Sequence, residues 1–159
     1  MRRIQTATEL GVRSGEVEVS ELFASYERAG FLYPAKRRLL EGHWDRVADV
    51  WARAQSSIDD LMRVFTYHDS VSGYGASATL WRATQRSVFS QHLVGKHAPL
   101  GTRATILGAQ SHALYTCWVD ASETWYRPEN RAPARLWGRL RDVVGDRHFA
   151  AHRWNYILT

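Results

Sequence analysis

From Ser20 onward, apolar residues fall on one helical face: Leu22, Phe23 and Tyr26. Ser20 is placed to cap that helix and Gly30 to stop it. Just before it, Val17 and Val19 alternate with polar residues, which predicts a short strand. Pro34 opens the next helical pattern, at a position where its missing N–H costs little. Leu40, Trp44, Val47, Trp51 and Ala54 follow at spacings of 4, 3, 4 and 3, one apolar stripe on an amphipathic helix reaching Gln55. The opposite face carries Lys36, Arg37, Arg46, Asp49 and Arg53, as a solvated face does.

The period then changes. "LMRVFTYH" reads as a buried strand, "DSVSGYG" as a turn, and "ASATLWRAT" and "SVFSQHLVG" as two further strands separated by "QRS". Residues 61–94 are therefore expected to form an antiparallel meander. A helix is predicted to start near Gly101, with Ala104, Leu107, Ala109 and Leu114 among its apolar members. A strand around "SETWYR" follows, then a helix from about Arg131 to Val144. A closing strand is anchored by Phe149, Trp154, Tyr156 and Leu158. Residues 1–15 lack a clear period and read as a loose arm. The order β, α, α, β, β, β, α, β, α, β predicts a single α/β domain over 16–159, with a mixed, mainly antiparallel sheet flanked by helices.

Bulk composition narrows the class. In 159 residues, 45% hydrophobic and 23% charged, wholesale disorder is excluded. Seven tryptophans and seven tyrosines supply large faces with polar edges, suited to a core or a ligand groove. A lone Cys117 excludes an internal disulfide and any Cys-x-x-Cys site, and its neighbours Tyr115 and Trp118 predict a buried small side chain rather than a nucleophile. No stretch approaches the roughly 18 apolar residues of a membrane span. "MRRIQTATELGV" lacks the apolar segment of a secretory signal, so a cytoplasmic location is expected. His148 and His152 lie four apart but lack the glutamate of the helical zinc-protease motif, so no metal site is predicted.

The net charge of +5 and pI near 9.7 favour anionic partners. Arginines interleave with aromatics in "LWRATQR" and "HRWNY", which suits stacking on bases. A nucleic-acid-binding domain is thus one reading, although no helix-turn-helix, zinc or aromatic RNA-binding signature accompanies the charge.

Two junctions point elsewhere. "RPENRAPARLWGRL" leads from a predicted strand into a helix. There Pro128 holds Arg127 extended, Asn130 is placed to cap through its side chain, and Pro133 falls in the first turn. "KHAPLGTRATIL" leads from a loop into another helix. Together with the element order, these segments resemble the GCN5-related N-acetyltransferase fold. The order covers nearly the whole chain, and the motif matches cover about residues 95–140. The resemblance implies transfer of an acyl group from acetyl-CoA or another acyl-CoA to an amine, with an acidic acyl carrier protein as an alternative donor suited to a basic surface. It implies that Gly101 and Thr102 end the cofactor loop, flanked by Lys96, His97 and Arg103, and that Asn130, with Leu136 beyond it, lies beside the pantetheine arm. The physical reason for such a loop is that a helix start offers free backbone N–H groups and a positive dipole end to a pyrophosphate.

The chain departs from the family pattern at two places. Lys96 and Pro99 stand where a glutamine or arginine and a glycine are expected, and proline removes one donor. Trp137 stands where a tyrosine often serves as general acid, and indole cannot supply that proton. For the base, His92 is the candidate, sharing by strand alternation a face with Ser90. For the acid, Tyr126 is the candidate replacement. The departures leave a second reading open, a catalytically inactive shell of the same fold serving as a binding or interaction module.

Overall fold

The computed structural model describes residues 10–69, 73–95, 99–116, 118–126 and 129–152. The chain divides into two compact units, Met1–Trp125 and Tyr126–Thr159. The first unit holds β1 (Val12–Gly15), α1 (Val19–Arg28), α2 (Pro34–Leu40), α3 (Trp44–Gln55), β2 (Met62–Asp69), β3 (Gly73–Thr84), β4 (Ser87–Gly95), α4 (Pro99–Tyr115) and β5 (Ala121–Glu123). Its sheet runs β1-β2-β3-β4-β5. The first four strands are antiparallel neighbours, and β5 lies parallel to β4.

Strand alternation sends side chains to two separate cores. Met62 and Val64 join Leu22 and Tyr26 of α1 and Trp51 of α3 on one face. Phe65 joins Val12, Leu80, Val88 and the alanines 104, 109 and 113 of α4 on the other. Helices α1 and α3 thus cover one face and α4 the other, which is the layering that a sheet apolar on both sides requires. Small residues bring α4 close. A Cβ placed on Gly101 would fall 2.5 Å from Cγ and 2.8 Å from Cε1 of the Tyr67 ring. Its missing side chain is what lets the helix lie on β2.

The expected meander over 61–94 is present, and so is a helix over Arg131–Val144. Several local expectations differ. Residues 12–15 of the predicted loose arm form β1, because their backbone pairs with Val64–Tyr67. Val17 and Val19 do not form a strand. Val19 opens α1, and Glu18 rather than Ser20 caps it, accepting from the Ser20 and Glu21 backbone N–H groups at 3.1 and 2.6 Å. The predicted single helix over 34–55 is two helices, because Gly42 turns the chain at φ +77°. Gly73 to Gly75, read as turn residues, belong to β3, and α4 begins at Pro99, before Gly101. The strand around "SETWYR" is confined to Ala121–Glu123. Residues 146–152, the described part of the predicted closing strand, contain no strand, and 153–159 lie outside the described residues. Among the described residues no helix is long and apolar enough to cross a membrane.

The second unit contains α5 (Arg131–Val144). Asn130 does occupy the position before its first turn, extended at φ −76° and ψ 95°, but its side chain makes no capping bond. Its carbonyl accepts from Ala134 N at 3.2 Å. An ordinary cap lost to alanine costs about 1 kcal/mol. Asn130→Ala should therefore cost less than about 0.5 kcal/mol, the range of exposed surface changes. Urea denaturation of the variant checks this, and a loss near 1 kcal/mol would restore the cap.

Candidate active site

The site begins with an irregularity in β4. Opposite β3, the register steps from Ser77↔Val94 to Thr79↔Gln91, so β4 carries one residue more than its partner. That extra residue forms a bulge at His92, whose φ is +48°. A left-handed non-glycine residue costs on the order of 1–3 kcal/mol and persists where the surroundings hold it. The bulge also corrects the sequence expectation that Ser90 and His92 share a face. Ser90 pairs with Leu80, whose side chain belongs to the α4 core. His92 points the other way, among the rings of the α1 and α3 core.

Four aromatic side chains enclose the imidazole. Tyr26 lies nearly parallel to it, with ring centroids 6.3 Å apart. Phe31, Trp51 and Trp81 meet it at steeper angles, at 5.8, 5.0 and 6.4 Å. Burial among these rings, reinforced by the nearby charge of Lys36, pushes the His92 pKa down to about 4. The imidazole is therefore neutral at pH 7. Lys36 itself is held by the cage wall, with Nζ 3.7 Å from the Phe31 ring centroid.

Thr79 anchors the ring. Its Oγ1 lies 2.8 Å from His92 Nδ1, donates to the Gln91 carbonyl at 3.1 Å and accepts from Trp81 Nε1 at 3.2 Å. Beside it, Tyr26 Oη and Ser77 Oγ are buried without a hydrogen bond of good geometry. Burial raises the Tyr26 pKa, and the neighbouring Ser77 hydroxyl offsets this only in part. Proximity without bond geometry is the reading that fits both observations. The sheet face under α1 thus carries a cluster of polar atoms inside an aromatic shell.

Next to the bulge the sheet opens. β5 pairs with β4 only at Ser87, Val88 and Phe89. Beyond Phe89, β4 runs on to Gly95 with no strand on that side among the described residues. Its end meets the start of α4, since a Cβ on Gly95 would collide with the Thr102 side chain. Pro99 is the first residue of α4, where a missing donor is tolerated. In the first turn of a helix the leading backbone N–H groups have no intrahelical carbonyl to bond. Arg103 is exposed in the same turn.

The sequence candidates divide accordingly. His92 and Thr102 are both brought to the same end of β4, and Arg103 lies one residue on. Gly101 is buried against Tyr67, so its side of the helix faces the sheet. Lys96 and His97 lie outside the described residues. Tyr126 and Asn130 belong to the second unit, where both are exposed. Sequence reasoning missed Thr79, Trp81, Tyr26, Phe31 and Trp51 as the shell of His92. The one available signal was Thr79 and Trp81 two apart on a strand, hence on one face.

No protein-family model matches the chain, and neither does any curated protein. Solved structures do. A probable acetyltransferase superposes with TM-score 0.60 at 11% identity, covering 93% of this chain and 96% of its own. An acetyltransferase from Trypanosoma brucei gives 0.57 at 18% identity, covering 93% and 99%. An aminoglycoside acetyltransferase from an uncultured soil metagenomic sample gives 0.57 at 14% identity, covering 92% and 97%. The fold is thus shared with these structures across nearly the whole length. The chain is built on the GCN5-related N-acetyltransferase fold.

Proposed function

We propose that this protein transfers an acyl group from an acyl-CoA thioester to an amine. The observation that carries the reading is the β4 bulge. It places a neutral, caged imidazole beside the point where β4 leaves β5, and the freed strand ends on the first turn of α4. The residues present fit the cofactor. The edge of β4 from Ser90 to Gly95, unpaired among the described residues, offers backbone donors and acceptors to the amide-bearing pantetheine arm, in the manner of an added strand. The first turn of α4 offers free N–H groups and the positive dipole end to the pyrophosphate, and Arg103 adds charge. When bound, acyl-CoA supplies an acyl group activated for attack.

The chain's own part is positioning and proton handling. Acylation needs the amine uncharged, and the proton it sheds must go to a base. His92 is uncharged at neutral pH, and its Nε2 makes no hydrogen bond among the described residues. Nε2 is thus the atom that takes the proton, directly or through water. A pKa near 4 makes it a weak base, so its contribution sits at the low end of general-base catalysis, about 10²-fold.

Isothermal calorimetry with CoA and acetyl-CoA, followed by turnover on an amine panel, tests the reading. Arg103→Ala is expected to weaken CoA binding and reduce its salt dependence without changing thermal stability. His92→Gln is expected to lower kcat about 10²-fold and leave CoA affinity intact. No binding of any acyl-CoA would overturn the proposal. Binding without turnover would favour the inactive module, the reading that Trp137, in place of a tyrosine acid, supports.

A further inference from the structure

The three bonds around Thr79 Oγ1 constrain more than the position of His92. A hydroxyl has one hydrogen and two lone pairs. The Trp81 indole N–H can only donate, so it takes one lone pair. The Gln91 carbonyl can only accept, so the hydroxyl hydrogen goes there. What remains toward His92 Nδ1, 2.8 Å away, is a lone pair, and a lone pair is met by an N–H. We propose that Thr79 is a positioning residue that holds His92 in the Nδ1–H tautomer, leaving Nε2 as the unprotonated nitrogen.

The opposite arrangement is poorer. If the hydroxyl hydrogen turned to Nδ1, the Gln91 carbonyl would lose this bond, and the ring proton would move to Nε2. There it would find no acceptor among the described residues, while the Gln91 carbonyl would be short of the bond that Thr79 now gives it. The rings of Tyr26, Phe31, Trp51 and Trp81 wall the imidazole, so it cannot swing to another partner. The hydrogen bond made by one ring nitrogen fixes the protonation of the other.

The inference deepens the proposed acyl transfer, since a base must present its lone pair at the free nitrogen, yet it is readable in the resting protein without substrate. Long-range 1H–15N correlation on protein labelled at histidine reports each nitrogen as pyrrole-like or pyridine-like. The seven histidines are sorted by the signal that His92→Gln removes. At pH 7, Nδ1 of His92 is expected to be pyrrole-like and Nε2 pyridine-like. Thr79→Ser should keep that pattern, whereas Thr79→Val should populate the Nε2–H form. A protonated Nε2 in the wild-type protein, or a pattern unmoved by Thr79→Val, overturns the assignment. If Thr79→Val does not fold, the wild-type and Thr79→Ser spectra still decide. With an amine acceptor in hand, Thr79→Val should lower kcat with KM for acyl-CoA unchanged, and Thr79→Ser should restore it. An enzyme without turnover would sink the acyl-transfer reading and leave the tautomer to the spectrum.

Discussion

Acidification from pH 6.5 to pH 4 is expected to remove roughly 3 kcal/mol of stability through His92 alone. Its pKa stands at about 4 in the folded protein against an ordinary 6.5. Between those values the unfolded chain binds a proton that the native state refuses. Stability therefore falls as pH drops through this window and is indifferent to this group above it. The magnitude is the 2.5-unit difference at about 1.4 kcal/mol per unit. Other groups act mostly lower. Asp60 is raised by burial but lowered more by its bonds to His112 and Arg63, so its contribution is lost only as pH falls through a value below the ordinary 3.8. Exposed Glu18 is also lowered, by its bonds to Ser20 and Glu21. Urea denaturation of wild type and His92→Gln at pH 7, 5.5 and 4.2 isolates the His92 contribution as a difference in how stability falls with pH. Parallel pH profiles for the two proteins would show that the imidazole charges without penalty.

The parts of this fold that were legible in the sequence are those carried by period and composition. Strand-like runs in 61–94 gave the meander, and the polar joint before Arg131 gave the start of α5. The unread parts depend on the chain meeting itself. Nothing in "SQHLVG" marks His92 as left-handed, because the bulge arises from a one-residue mismatch with β3. Ser90 and His92 consequently appeared to share a face. Residues 12–15 showed no alternation, yet they form β1 because β2 has an edge for them to pair with. The break at Gly42 hid inside an unbroken apolar stripe, since Leu40 and Trp44 keep helical spacing across it. The imidazole itself was found as a titratable side chain on the last strand of the meander. Its cage comes from α1, the segment after it, α3 and β3, and no local pattern could join them.

Gly101→Val is expected to destabilise the protein by about 3 kcal/mol, the upper range for overpacking a filled site. The cause is steric and specific. The new Cβ would enter the Tyr67 ring, at distances below 3.0 Å that real Cβ atoms essentially never show. The nearest atoms it would meet, Cδ1 and Cγ, lie at the base of the ring rather than at a flexible tip, and the Tyr67 backbone is paired with β1 and β3, so the ring cannot yield cheaply. Helix α4 must lift instead, and lifting it separates Ala104, Ala109 and Ala113 from Phe65, Leu80 and Val88. A Tyr67→Ala background removes the obstacle. There the same Gly101→Val change should cost about 2 kcal/mol less, a coupling in the range for residues in direct contact. Equal costs in both backgrounds would place the strain elsewhere. The consequence for the cofactor reading is direct. Loss of CoA affinity on substituting Gly101, by aspartate as much as by valine, would report a displaced helix start as readily as a lost phosphate contact. Arg103, exposed in the same turn, is the position where a loss of affinity can be read as charge.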